Sequence, residues 1–432
     1  MGIMAEQSSE GTRKISLIGA AVRCIFLLAL AACLVAAVRE GVGAWFAREG
    51  TAESFRRAAI WEPANPEYPT QIAHLAAADI ASADPREMAR ELENSVRLGP
   101  ERAINWANLG GAYELGQRIA DATRAYERAV ALFPKSPQIN WQFANFLIRQ
   151  GNVSGAVAPL REAILGDPGL RIGAFDIAWR SGIPAADVLE FAGDRPDILS
   201  AYLDYLVETR RLDAAAVVWT RLMASPSAAD FDAAFRYFDA LLLARRVDGM
   251  LAVWSDLARH DPARIPRRPG NANLVFDGGF EGPILNGGFG WRTSPIEGAV
   301  VSFDDRLAHG GSRSLMIRFD GKHNLEFANV VQFVSAEPGC VYKFIGYART
   351  EGITTDSGPR IVVYDALDHA ALWVESENLV GTAGWTEQEI SFRTSAKTRL
   401  IVVQIVRPPS RKLDNLIVGT LWLDDFSLTR NP

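Results

Sequence analysis

Residues 105–134, NWANLGGAYELGQRIADATRAYERAVALFP, decide the fold of the first part of the chain. The stretch reads as two short helices, NWANLGGAYELG and ADATRAYERAVALFP, joined by a tight turn near Gly116. Trp106, Leu109, Gly110 and Tyr113 mark one face of the first helix. Ala122, Tyr126 and Ala129 mark one face of the second, at the three- and four-residue steps a helix requires. Gly110 and Ala122 allow two antiparallel helices to approach closely, and Tyr113 and Tyr126 fill the space beside them. Pro134 stops the second helix, because it lacks an N–H and disfavours a helical residue before it. A single hairpin of this kind cannot bury its apolar face, so the stretch predicts stacked neighbours.

The neighbours recur at a step of about 34 residues. One step forward the marked positions are Phe143, Ala144, Leu147, Ala156, Leu160, Ala163 and Pro168. One step back they are Leu75, Ala76, Met88, Leu92 and Pro100, with Asp79 at the tyrosine position. This spacing, with the pattern W-x2-L-G-x2-Y…A-x3-Y-x2-A-x4-P, resembles the tetratricopeptide repeat. The resemblance implies an α-solenoid of helix pairs with a concave groove that holds proteins, and no catalysis. First helices would line the groove: Ile104, Ala107, Gly111 and Glu114, then Gln138, Trp141, Asn145 and Arg149. The protein-binding groove is therefore expected at Glu114, Gln138, Trp141, Asn145 and Arg149. Trp141 would be its anchor and Asn145 and Arg149 its polar contacts, unless Trp141 packs on the next repeat instead. No pair of basic residues recurs at the positions that would clamp a C-terminal carboxylate.

The composition of the 432 residues, 48% hydrophobic and 22% charged, is globular, and the length suits two or three units. A formal net charge of −6 gives no general attraction to nucleic acid. Three cysteines are too few for a disulfide framework. Cys24 and Cys33 lie in the N-terminal apolar run, and Cys340 reads as a small buried strand residue. Residues 15–38 are apolar but for Arg23, which can snorkel to the interface, and spanning a bilayer takes ~20 such residues. A retained single-pass anchor, a cleaved export signal and a lipoprotein signal compete here. Leu30-Ala31-Ala32-Cys33 resembles a lipobox, but residues 34–38 stay apolar after the cysteine, and no clean A-x-A cleavage site is present. Arg13 and Lys14 before the run, against Arg39, Arg48, Arg56 and Arg57 after it, leave orientation open on charge alone.

Residues 51–66 read as a lone second-type helix that continues from the membrane helix or packs beside it. Repeats follow at about 67–100, 101–134 and 135–168. The pattern then decays into short helices at 170–180 and 187–191 around Gly182-Ile183-Pro184. Two further hairpins follow, 198–208 with 213–224 and 231–244 with 248–260. PARIPRRPGN, residues 262–271, cannot form a packed element and marks a linker. Beyond it, short β-rich runs at 300–303, 314–319, 330–334, 340–350, 360–365, 386–392, 400–407 and 421–428 alternate with Gly- and Pro-rich turns. They predict an antiparallel two-sheet sandwich. The expected organisation is a tail at 1–14, the apolar segment at 15–38, the solenoid at 39–262, a linker at 263–272 and the sandwich at 273–432.

Asn273-Leu274-Val275 with Gly278-Gly279-Phe280-Glu281 opens the last domain. His309-Gly310-Gly311 precedes the strand at Ser314, and Trp422-Leu423-Asp424-Asp425-Phe426-Ser427-Leu428 closes it. This order resembles carbohydrate-binding modules of the family 4/9 type, a jelly roll of the galactose-binding-like class. Most of the matching residues are fold-determining. A sugar site needs an aromatic ring against the apolar face of a pyranose and polar side chains for its hydroxyls. Period-2 alternation turns Tyr342, Phe344, Gly346 and Ala348 inward and Lys343, Tyr347 and Arg349 outward. On strands neighbouring 340–350, Arg360 and Tyr364 share a face, with Gln404 or Arg407 near, and residues 369–377 carry Trp373 to the rim. The expected glycan-binding residues are Tyr347, Arg349, Tyr364 and Trp373, with Trp291, Trp385 and Trp422 mainly in the core. The resemblance also implies a structural Ca2+ held by Glu281 and Asp425, completed by backbone oxygens.

No phosphate-binding, dinucleotide, nucleophile-elbow or zinc-protease motif occurs. The five histidines stand apart without ligand spacing, and His309 reads as a turn residue. The combined expectation is a non-catalytic envelope scaffold, anchored in a bacterial inner membrane with its soluble domains outside the cytoplasm. It would bind protein through the repeats and glycan through the jelly roll, in surface polysaccharide assembly or export. The competing expectation is a purely protein–protein scaffold in which the jelly roll is structural.

Overall fold

A computed structural model describes residues 3–78, 84–224, 230–266 and 273–431, with side chains from residue 23 onward. Asp79 and linker residues 267–272 lie outside the described residues. The chain divides into two compact units, Met1–Ala192 and Gly193–Pro432. The second therefore joins the last two helix pairs to the sandwich, although composition changes only at the linker.

The first unit begins with α1 (Ile3–Ala47), whose stretch Arg23–Ala47 is long and apolar enough to cross a membrane. The chain turns at Gly50 and returns as α2 (Ala52–Trp61), which packs against α1. Three helix pairs follow: α3 (Glu67–Ala78) with α4 (Pro85–Leu98), α5 (Ala103–Leu115) with α6 (Ile119–Leu132), and α7 (Pro137–Arg149) with α8 (Val153–Gly166). A short pair, α9 (Arg171–Arg180) and α10 (Ala185–Ala192), ends the unit. Local chemistry sets these ends. Asp84 caps α4 and Ser136 caps α7, each with proline in the first turn.

The hairpin chosen from sequence packs as its small residues require. A methyl group on Gly110 would sit 2.8 Å from the Tyr126 ring. That ring is buried and in turn lies 5.6 Å from Phe143 and 5.1 Å from Phe146 of the next pair. The turn falls at Gly116, as expected, but its left-handed residue is not the glycine. Gly116 keeps a negative φ of −78°, and Gln117 takes the left-handed conformation at φ 57°. The N–H of Arg118 then reaches the carbonyl of Tyr113 at 2.8 Å, closing the end of α5 as a six-residue cap.

The second unit opens with α11 (Pro196–Glu208) and α12 (Leu212–Met223), then α13 (Phe231–Leu243) and α14 (Val247–His260). Ten strands follow: β1 (Arg292–Thr293), β2 (Ala299–Asp304), β3 (Ser314–Asp320), β4 (Phe327–Ser335), β5 (Val341–Ile353), β6 (Arg360–Asp365), β7 (Trp373–Glu375), β8 (Gly381–Arg393), β9 (Leu400–Arg407) and β10 (Val418–Arg430). They form two antiparallel five-stranded sheets, β1-β4-β9-β6-β7 and β2-β3-β10-β5-β8. Phe280, Trp291, Phe319, Phe327, Phe344 and Phe426 fill the space between them. The opening and closing motifs meet: Asn273 donates to the carbonyl of Phe426 at 2.6 Å and accepts from the N–H of Leu428 at 2.8 Å. Gly278 has no room for a side chain, because a Cβ there would fall 1.9 Å from the Phe426 carbonyl oxygen.

The helices and the sandwich of this unit are packed together. Gly287 and Gly288 lie against Phe235 of α13 and Trp254 of α14, and Phe289 meets the Phe238 ring edge-on at 4.9 Å. Beside this seam Arg292 forms a two-pronged ion pair with Asp239, at 2.6 and 3.1 Å, and Arg399 pairs with Asp248.

Candidate functional site

The first sheet carries an aromatic platform. Ladder pairing sets Tyr364 of β6 opposite Trp373 of β7, and their rings lie 5.0 Å apart at 21°. Trp373 is 50% exposed, with His369 at 6.0 Å and tilted to its ring. His369 meets Tyr364 edge-on at 4.6 Å. The Tyr364 hydroxyl donates to Gln404 Oε1 at 3.0 Å, and Gln404 Nε2 donates to the carbonyl of Ala328 at 2.7 Å. Burial raises the Tyr364 phenol above its ordinary pKa. Arg360 and Glu375, paired at 3.4 Å, lie on the same two strands. A flat ring with an amide, a guanidinium and a carboxylate close by is the chemistry that an apolar sugar face and its hydroxyls require.

Tyr347 and Arg349 lie on the other sheet. β5 alternates as the sequence predicts, with Tyr342, Phe344, Gly346 and Ala348 buried inward. Its partners, however, are β8 and β10, whereas β6 joins β9 and β7. The expectation treated residues 340–350 and 360–365 as neighbouring strands. The chain instead crosses between sheets at 354–359, so Tyr347 and Arg349 do not share a cleft with Tyr364 and Trp373. The imidazole of His309 covers Tyr347, stacked at 3.7 Å and 11°, and meets Trp385 edge-on at 5.6 Å. His309 Nδ1 lies 2.7 Å from Asp425 Oδ2, and the Tyr347 hydroxyl donates to Glu387 at 2.9 Å. The Arg349 guanidinium lies 5.9 Å from the Trp422 ring centre.

Trp291 belongs to the inner core, but Trp385 and Trp422 do not. Trp422 is buried on the outer face of its sheet and donates its indole N–H to Asp304 at 2.8 Å. Trp385 is half-buried beside His309. Arg407 is also no cleft residue. It is fully buried and donates to the carbonyls of Ser357, Leu325 and Asn415 and to the Asn324 side chain. Cys340 is half-buried just before β5. The His309–Trp385 contact is what sequence reading missed. Its one signal was Gly310-Gly311, the two positions where a side chain would strike Asp425 and Glu281.

Those two carboxylates, the expected calcium ligands, flank one loop; Asp425 Oδ2 lies beside His309 Nδ1, and both oxygens of Glu281 are engaged by donors. Glu281 accepts from the N–H of Ser312 at 2.7 Å, its hydroxyl at 2.5 Å and the N–H of Arg313 at 3.3 Å. These bonds, the Ser312 hydroxyl first, hold the Glu281 carboxyl below its ordinary pKa. The carbonyls of Phe280 and Gly282, the nearest backbone oxygens, accept from the Arg313 guanidinium at 2.8 and 2.5 Å. Among the described residues no group of three or more His, Cys, Asp or Glu is placed to hold a metal ion. A calcium cage needs 6–8 oxygens, and here the Glu281 oxygens and the Phe280 and Gly282 carbonyls already accept protein hydrogen bonds, which leaves the residues present a poor fit to one.

In the helical repeats, the expected groove residues all lie on first helices, α5 and α7. Arg149 donates through Nε and Nη2 to the two oxygens of Glu114, both at 2.8 Å, tying one repeat to the next. His74 and Asn108 do the same between α3 and α5, at 3.1 Å. Gln138 donates to Asp167 at 3.0 Å, and Asn145 to the carbonyl of Trp141 at 2.8 Å. Trp141 is half-buried, and its ring edge lies against Gly173 of α9. Much of the expected polar lining is therefore spent on the repeat framework.

No family model matches the chain. A stretch of 85 residues is 38% identical to the cytochrome c-type biogenesis protein CycH of Pseudomonas aeruginosa, covering 19% of this chain and 21% of that protein. The match thus spans about a fifth of the curated relative's length. Similar solved structures include a family 16 carbohydrate-binding module, 21% identical over 36% of this chain and 99% of that one, with a TM-score of 0.27. They also include YrrB, a tetratricopeptide repeat protein with an unusual peptide-binding site. YrrB is 12% identical over 50% of this chain and 96% of its own, with a TM-score of 0.25.

Proposed function

We propose that this chain is a non-catalytic, membrane-anchored scaffold of the bacterial cell envelope that binds protein through its helical repeats and glycan through its sandwich. A place in the assembly or export of a surface polysaccharide follows from that combination. One observation carries the glycan half: Trp373, half exposed and near-parallel to Tyr364, with Gln404, Arg360 and Glu375 close by. The likeness of the sandwich to a carbohydrate-binding module is compatible with it. Trp373 and Tyr364 are the residues we assign to sugar stacking. Tyr347 is secondary, because His309 occupies one of its ring faces.

The test is a polysaccharide panel with the full chain in detergent, wild type against Trp373→Ala. Binding that is lost in the variant, with unchanged thermal unfolding, supports the reading. Silence from the folded wild-type chain overturns the glycan half. A second reading is favoured by the Phe235–Gly287 and Trp254–Gly288 seam, which fixes sandwich to helices as one unit. In that reading the sandwich is structural and the chain is a protein–protein scaffold. It predicts that Trp373→Ala leaves partner recovery unchanged.

A further inference from the structure

Among the described residues, the hairpin of α1 and α2 leaves one apolar surface without a protein partner. Arg39 Nε donates to the carbonyl of Trp61 at 2.8 Å, which sets the last residue of α2 level with Arg39 on α1. At that level Ile60 is 75% and Trp61 40% exposed. Together with Leu34, Val35, Val38 and Arg39 they line one continuous groove of about 530 Å³. The polar side chains of α2 lie towards its other end: Glu53, Arg56 and Arg57.

We infer that the α2 terminus, Ile60–Trp61, is seated in the interfacial layer of the lipid bilayer that α1 crosses. The inference rests on the reading of α1 as a membrane anchor. It also decides where the span ends. The candidate span runs to Ala47, but α2 packs against α1 with Glu53, Arg56 and Arg57 exposed. Charged groups of that kind are strongly disfavoured in hydrocarbon. Gly43 is likewise buried beneath the Glu62 carboxylate and the Tyr68 hydroxyl, and Tyr68 donates to Glu62 at 2.7 Å. The hydrocarbon therefore ends near Val38, and residues 15–38, at 1.5 Å per residue, supply about 36 Å, enough for a core of ~30 Å. Arg39 and Trp61 then fall at headgroup depth, where tryptophan and snorkelling arginine are favoured. Residues 39–47 of α1, packed on α2, form a stalk of about 13 Å from which the first repeat starts.

The test is spin-label accessibility in proteoliposomes, with the full chain carrying one cysteine at a time: native Cys33, Ile60→Cys or Glu53→Cys. The label at Cys33 reports the span and the label at residue 53 the far end of α2. The expected result is that residue 60 is several-fold less accessible to a water-soluble nickel chelate than residue 53, yet accessible to oxygen. Equal nickel accessibility at 60 and 53, with Cys33 protected, overturns the seat and leaves the anchor standing. Protection of residue 60 from nickel and oxygen alike overturns the lipid assignment in favour of a protein partner. Free nickel access at Cys33 overturns the anchor and the seat with it.

Discussion

Gly287→Ala tests whether the helices and the sandwich of the second unit are one packed body. A Cβ at this position would stand 2.1 and 2.2 Å from Cδ2 and Cγ of Phe235, and 2.8 Å from its Cβ. Carbon atoms in ordinary contact are ~3.5–4.0 Å apart, so the surfaces must part by more than 1 Å. Rotating the ring does not relieve the clash, because the root of the side chain is itself too close. Overpacking of this kind costs about 1–3 kcal/mol. Separation would also weaken the Phe238–Phe289 and Trp254–Phe289 edge contacts, each worth about 0.5–1.5 kcal/mol. A total near 3 kcal/mol lowers Tm by roughly 6–12 °C for a unit of this size. Gly384→Ala is the control, since a methyl group there meets nothing within 4 Å. Differential scanning calorimetry of the full chain reads both variants. If Gly287→Ala melted with the Gly384→Ala control, the packing argument would be wrong.

Two further outcomes follow from local geometry. Gln117→Gly should raise stability by about 0.5–1 kcal/mol, because a non-glycine residue now holds the left-handed cap position; chemical denaturation reads it, and a loss of stability would contradict the cap assignment. Glu281 has a depressed native pKa, so its contribution is fully present above its ordinary value of 4.5 and is lost as pH falls through the lower native value. The Tm gap between wild type and Glu281→Gln should therefore be constant near neutral pH and shrink once the pH falls below 4.5, and a gap that does not narrow in acid would refute the role of the ionised form.

What could be read from sequence were features with a period. Gly110, Ala122 and Tyr126 sit at helical spacing, and their contacts are those the pattern demanded. β5 alternates as read, residue by residue. Partner choice has no such period. Nothing in residues 340–365 says that the chain changes sheets between β5 and β6, and that one crossing separates Tyr347 from Tyr364. Alternation also cannot tell an inner face from an outer face that is itself covered. Trp422 is as buried as a core residue, yet it lies outside the sandwich interior, bonded to Asp304. The strand β7 escaped notice because three residues are too few to alternate, although its Trp373 was singled out.

The surroundings of the expected calcium ligands bear on the sandwich as a whole. The family-like acidic residues are present and close to one loop, so residue identity alone supports a cation site. The loop around them supplies donors rather than acceptors: the N–H groups of Ser312 and Arg313 point at Glu281, and those of His309 and Gly310 at Asp424. The Arg313 side chain, 3.9 Å over the Phe303 ring, then delivers a fixed positive charge to the carbonyls of Phe280 and Gly282. A guanidinium, unlike a bound ion, cannot be removed by a chelator. The same loop brings His309 over Tyr347. Internal hydrogen bonding thus occupies much of this edge of the sandwich, and the same loop covers an outward aromatic on that sheet. The exposed platform at Trp373 and Tyr364 lies on the opposite sheet, built by β6, β7 and β9 without any contribution from the loop at 309–313.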